Sequence, residues 1–159
     1  MKKILLTLVI GIIGCQMLSA QTSSTAELRS LVAPGNKVAI EFFDRTYDFD
    51  EEDRFIRSYL REWSDWVVVD EPTQADFILY VEGRSAHVAK NTPTSKSYYM
   101  TPTIRRKDGT DVWKGETVCD WACPGNGSRA VKGVSWQLVR TLIQALRQEL
   151  GGSPVFVEV

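Results

Sequence analysis

The sequence predicts an α+β fold, a two-layer sandwich in which two helices pack on one mixed β-sheet in the order β-α-β-β-β-β-α. Three observations predict it. A strand–helix–strand run opens the chain after a turn signal, an Asp-Gly hairpin signal lies beyond its middle, and a long amphipathic stretch comes after the hairpin. The 159 residues are 43% apolar and 25% charged, a globular composition that supports one domain and one core.

Residues 1–20 read as a secretory signal peptide: Lys2 and Lys3, an apolar run from Ile4 to Ile13, and a small residue at Ala20 before Gln21. The run is shorter than the roughly 17 residues a spanning helix needs, so no transmembrane span is expected. Ile12-Ile13-Gly14-Cys15 also resembles a bacterial lipobox, in which Cys15 becomes the lipidated first residue. Both maturation routes stay open. Residues 21–35 are expected to form a leader, helical or irregular over 25–32, and 36–159 a single α/β domain.

After the Pro34-Gly35-Asn36 turn, Lys37 to Phe43 reads as a mostly buried strand. Asp48-Phe49-Asp50 opens a helix with acids in its first turn, and Phe55, Ile56, Tyr59, Leu60 and Trp63 fall on one face. Arg54, Arg57 and Arg61 fall on another, where Glu51, Asp53 and Glu62 neutralise them. Trp66 to Val69 and Ala75 to Gly83 read as strands around a Pro72 turn, and Arg84 to Ser97 as a polar loop. Tyr98 to Arg106 and Asp111 to Val118 flank the Asp108-Gly109 turn as a hairpin. A joining segment leads to a helix over Ala130 to Leu150, with Val134, Leu138, Leu142, Ala145 and Leu146 on its apolar face. Gly151-Gly152 stops it, and Val155 to Val159 allows a final edge strand.

Chemistry is scarce. With 19 basic and 20 acidic residues the net charge is -1, which leaves no nucleic-acid footprint. Gly125-Asn126-Gly127-Ser128-Arg129-Ala130 matches a degenerate dinucleotide fingerprint, but too little chain remains beyond it to build the further parallel strands. The only His, His87, lacks the partners of a metal site or a hydrolase, and the acids before the first helix lack EF-hand spacing. No catalytic residue, metal ligand or cofactor is read from the sequence. In an oxidising compartment Cys119 and Cys123 read as a disulfide, with a thiol-redox or hydrolytic enzyme using them or His87 as the alternative. Loops carry function and aromatic anchors carry binding energy, so the expected interaction surface is the hairpin tip and the segment after it, with Asp108, Trp113 and Trp121 as its residues. A glycan or small-ligand binder would instead line a pocket with Tyr98, Tyr99 or Trp113.

Lys37-Val38-Ala39-Ile40, Ala75-Asp76-Phe77-Ile78-Leu79 and Lys107-Asp108-Gly109-Thr110-Asp111-Val112-Trp113 resemble segments of the TolB amino-terminal and CsgG-like envelope domains, over about residues 36–150. The resemblance implies an α/β sandwich used as an accessory module in the Gram-negative envelope, periplasmic or at the outer membrane, whose partner is another envelope protein or polymer. It carries over no binding residue.

Replacing Cys15 with Ala should release the protein from membranes if the lipobox is used; fractionation of that variant identical to wild type would rule out a lipid anchor there.

Overall fold

The computed structural model describes residues 25–46, 52–87, 96–122 and 127–151. Cys15, the Ala20–Gln21 site, Cys123 and the expected edge strand over 155–159 lie outside these residues. A helix α1 over residues 25–31 leads into β1 (Lys37–Asp44), α2 (Glu52–Trp63), β2 (Val67–Val69), a short 3-10 turn (Pro72–Gln74), β3 (Phe77–His87), β4 (Lys96–Arg105), β5 (Asp111–Lys114), β6 (Val118–Ala122) and α3 (Gly127–Glu149). The strands form one sheet in the order β2-β1-β3-β4-β5, with β6 also paired to β4. β1 runs parallel to β2 and β3, as a helical crossover requires, and the hairpin strands are antiparallel. The sheet is therefore mixed, and the architecture is the α+β sandwich expected.

Register decides which side chains meet the helices. Ile40 lies opposite Leu79, and Leu79 opposite Ile104; two residues along, Phe42 lies opposite Val81 and Val81 opposite Pro102. Because side chains alternate with period two, these rows point to one face. That face buries Val38, Phe77, Leu79, Val81, Met100 and Ile104 in one cluster with Ile56 and Leu60 of α2 and Val134, Leu138, Leu142 and Leu146 of α3. Full burial of each such side chain is worth about 1.5–3 kcal/mol, which is far more than helix propensity alone supplies.

The lead-in belongs to this core. Leu28 and Val32 are buried in it, the Trp66 indole donates to the Val32 carbonyl at 2.9 Å, and the Asn36 amide donates to the Ser30 and Leu31 carbonyls, satisfying the open end of α1. Gly35 turns the chain at φ 81. The folded unit thus starts before the Pro34 turn, and three helices rather than two contribute to it.

Two further departures have physical causes. The segment read as a loop over Arg84 to Ser97 is strand at both ends: ten residue pairs join β3 to β4, from Ile78↔Arg105 to His87↔Lys96. Its polar residues fit because the ladder needs only backbone groups. Conversely, the single strand expected over Asp111 to Val118 is broken into β5 and β6. The Gly115 N–H donates to the Pro102 carbonyl at 2.9 Å, so Pro102 presents its backbone to this edge, yet proline has no N–H to return. The ladder fails there and resumes at Val118↔Met100. α3 also begins earlier than read, at Gly127.

Gly115 is held small by the same break, since a Cβ there would stand 2.6 Å from Trp113 Cη2 and 2.9 Å from Pro102 Cγ. Both are rigid rings, so Gly115→Ala should lower stability by about 1–3 kcal/mol, read as a reduced urea midpoint at unchanged m-value; an unchanged midpoint would show that the rings can give way.

Candidate functional site

The face of the sheet turned away from the helices is the most distinctive surface. Alternation that buries Val81 and Met100 sends Phe43, Tyr80, Glu82 and Arg84 outward, together with Tyr99, Thr101 and Arg105 of β4 and Cys119 and Trp121 of β6. At its lower end the face is closed by a small cluster of Ala39, Ala75 and Ile78 under the 3-10 turn. Over the remainder no helix of the described residues packs on it. Trp121 is 55% exposed and Phe43 50%, unusual for side chains of this size in a folded domain.

Polar groups organise the rest of the face. The Arg84 guanidinium lies 4.0 Å from the Tyr99 ring centroid, and that of Arg105 lies 3.4 Å from the Tyr80 centroid. Such stacking fixes the planar cations while leaving their edges able to donate to a carboxylate or carbonyl. Arg45 pairs with Glu82 at 2.8 Å, Arg105 with Asp111, and the Thr101 and Thr117 hydroxyls share a 2.7 Å bond. Tyr99 lies between Arg84 and Cys119 in one cross-strand row, and Ser97 between Ala86 and Trp121 in the next. The result is an exposed, ordered aromatic and arginine surface spread over four strands, suited to a broad partner.

Of the three residues expected to form the interaction surface, only Trp121 belongs to this face. Asp108 sits at the hairpin tip, where its carboxylate accepts the Thr110 N–H at 2.9 Å. Trp113 lies opposite Ile104 and so turns to the helix side, packing at the rim of the core. There it lines a groove of about 570 Å³ with Pro102, Gly115, Thr141 and Leu142. The pleat and the Gly115 break separate residues that sequence proximity had grouped. Tyr98 is buried in the core and Tyr99 faces outward, so the two do not line that groove with Trp113. His87 and Cys119 are two strands and three residues apart, about 14 Å. Cys119 is an exposed thiol. Among the described residues no His, Cys, Asp and Glu cluster could hold a metal ion, and no helix is long and apolar enough to cross a membrane.

Phe43, Tyr80, Arg84 and Arg105 escaped the sequence reading, and Tyr99 entered it only as a lining of a ligand pocket. The signal was present as period-two alternation in Phe77 to His87, but only the cross-strand register shows that these residues share a face.

No family model matches the sequence, and no curated protein matches it. Among solved structures the chain is similar to the hypothetical protein CT253 from Chlamydia trachomatis, with 13% identity, 73% of this chain and 98% of that chain covered and a TM-score of 0.45. It is similar to the PelC dodecamer from Paraburkholderia phytofirmans, with 16% identity, 67% and 87% covered and a TM-score of 0.48. A minor lipoprotein from Acinetobacter baumannii gives 15% identity, 69% and 94% covered and a TM-score of 0.46. Each is a likeness of chain path, from which no residue role is transferred.

The hairpin tip has its own electrostatics. The Arg106 side chain bonds to Glu27 and holds its carboxyl below the ordinary 4.5, and the Thr110 N–H holds Asp108 below 3.8, with Arg106 assisting. Carboxyls depressed on folding add stability that is present above their unfolded values and is lost as pH falls through the folded ones. NMR titration should place both midpoints below the ordinary values, and Arg106→Gln should return Glu27 upward; a Glu27 midpoint that ignores this substitution would show that the pair does not persist in solution.

Proposed function

We propose that this chain is an exported, non-enzymatic accessory domain of the Gram-negative envelope that binds another envelope component through the outer face of its sheet. One observation carries the reading: the same six strands bury the centre of one face under helices and leave Phe43 and Trp121 exposed on the other, beside two tyrosines stacked by arginines. Exposed aromatics and arginines in a contiguous patch are what protein interfaces concentrate at their centres.

The signal-peptide pattern at the amino terminus supports export, and the resemblance to TolB amino-terminal and CsgG-like domains supports an accessory role. The enzyme alternative has less in its favour, because among the described residues no metal-binding cluster forms and His87 and Cys119 do not come together. A Cys119–Cys123 bond would serve as a staple at the end of β6.

A photo-crosslinking residue introduced at position 121 or 43 in cells should yield one discrete adduct with an envelope component. Against the identified partner, Trp121→Ala should weaken binding on the order of thirty-fold, the loss of about 2 kcal/mol that marks an aromatic hot spot, with circular dichroism unchanged. Adducts formed only from position 108, or binding unaffected by both Trp121→Ala and Phe43→Ala, would overturn the assignment of this face.

A further inference from the structure

The opposite side of the sandwich, the solvent side of α2 and α3, carries a second surface of different character. At 100° per residue, Arg129, Lys132, Trp136 and Arg140 of α3 fall within about 80° of arc, and all four are exposed. α3 contains no acidic residue from Gly127 to Gln148, although the whole chain has a net charge of -1. The helix itself is therefore basic, with the Asp120 carboxylate of β6 packed beside it at Gly133. Trp136, 37% exposed, is edge-on to Trp63 at 6.1 Å, Trp63 stacks on Tyr59 at 5.0 Å, and the Arg140 guanidinium lies 5.0 Å from the Trp136 ring. An aromatic ridge thus bridges the two helices with cations along it. On α2 the arginines lie on the other side of the helix from Tyr59 and Trp63, with Arg57 occupied by Asp53 and Asp70, and the exposed Glu62 is the charge beside Tyr59, so the cations of this surface come from α3.

We infer that this helical face docks on an anionic lipid surface. Tryptophan and tyrosine rings are amphipathic and settle at the headgroup level, while Arg and Lys beside them are drawn to anionic headgroups. Both requirements are met on the exposed side of α3, where Arg129, Lys132 and Arg140 outnumber the nearby Asp120 and Glu62, and the charge complementarity is with a negative surface. Tyr59 and Trp63 are half-buried against the core, and an acidic soluble polymer would use the cations but not the exposed Trp136 ring that stands among them. The ridge acts independently of an acyl chain on Cys15, and it lies across the sandwich from the outer sheet face, so the two surfaces can be occupied together.

The test uses the exported full chain carrying Cys15→Ala, so that no lipid anchor contributes, in co-sedimentation with vesicles at about 0.1 M salt. Vesicles of phosphatidylcholine with one-third phosphatidylglycerol should bind it, and vesicles of phosphatidylcholine alone should not. Each cation removed costs about five-fold in partitioning, the equivalent of ~1 kcal/mol, so Arg129→Gln, Lys132→Gln and Arg140→Gln together should weaken binding about a hundred-fold. Trp136→Ala should also weaken it, whereas Trp121→Ala on the other face should not. Folding of each variant is checked by circular dichroism. Equal binding to both vesicles, no binding to either, an unaffected triple variant, or retention by an acidic polysaccharide or nucleic acid without vesicle binding would each overturn the inference; none of these outcomes bears on the outer sheet face.

Discussion

Everything in this molecule depends on the register of three central strands. β3 is held by β1 on one side and β4 on the other, and the rows that place Leu79 between Ile40 and Ile104 also place Tyr80 between Glu41 and Thr103. A slip of one residue in either pairing would turn Phe77, Leu79 and Val81 to water and Tyr80 and Arg84 into the core. The cost of exposing those apolar side chains while burying an arginine is large enough that the register has no close competitor. Core and outer surface are consequently two readings of one constraint.

The helical layer is fitted to that constraint rather than imposing it. α2 and α3 bury Ile56, Leu60, Val134, Leu138, Leu142 and Leu146 against a single face, and α1 seals the lower end through Leu28, Val32 and the indole bond from Trp66. Ser135 sits wholly buried within α3, but its hydroxyl returns to the Val131 carbonyl at 2.8 Å and so costs little. With both helices on one side, the other side of the sheet is left to the strands' own side chains. This division gives a small domain two broad surfaces of unlike chemistry.

Much of the architecture was legible in the residues because it rests on local periodicity. Lys37 to Phe43, the Asp108-Gly109 turn and the 3.6-residue repeat of α3 each declare their element without reference to the rest of the chain. The parts that were not legible depend on pairing. Arg84 to Ser97 looks like loop because its side chains are polar, and only its backbone ladder makes it strand. Asp111 to Val118 looks like one strand because nothing nearby reveals that Pro102 will lie beside Gly115. The aromatic face was hidden for the same reason, since Phe43, Tyr80, Tyr99 and Trp121 come from four strands and become neighbours only across the sheet. Trp113 and Trp121, eight residues apart and alike in type, end on opposite sides of it. The spacing of Arg129, Lys132 and Arg140 already puts them on one side of α3, but the ring contact that joins Trp136 to α2 is tertiary.

The broken edge beside Pro102 has a further consequence. An uninterrupted outer strand from Asp111 to Ala122 would offer a long row of unpaired backbone donors and acceptors, a template on which another chain could grow a sheet. The break leaves segments of four and five residues, separated by a glycine covered by Trp113 and Pro102. While the chain folds, a discontinuous edge discourages intermolecular sheet growth at the stage when that hazard is greatest. The proline that weakens one ladder thereby favours folding over aggregation.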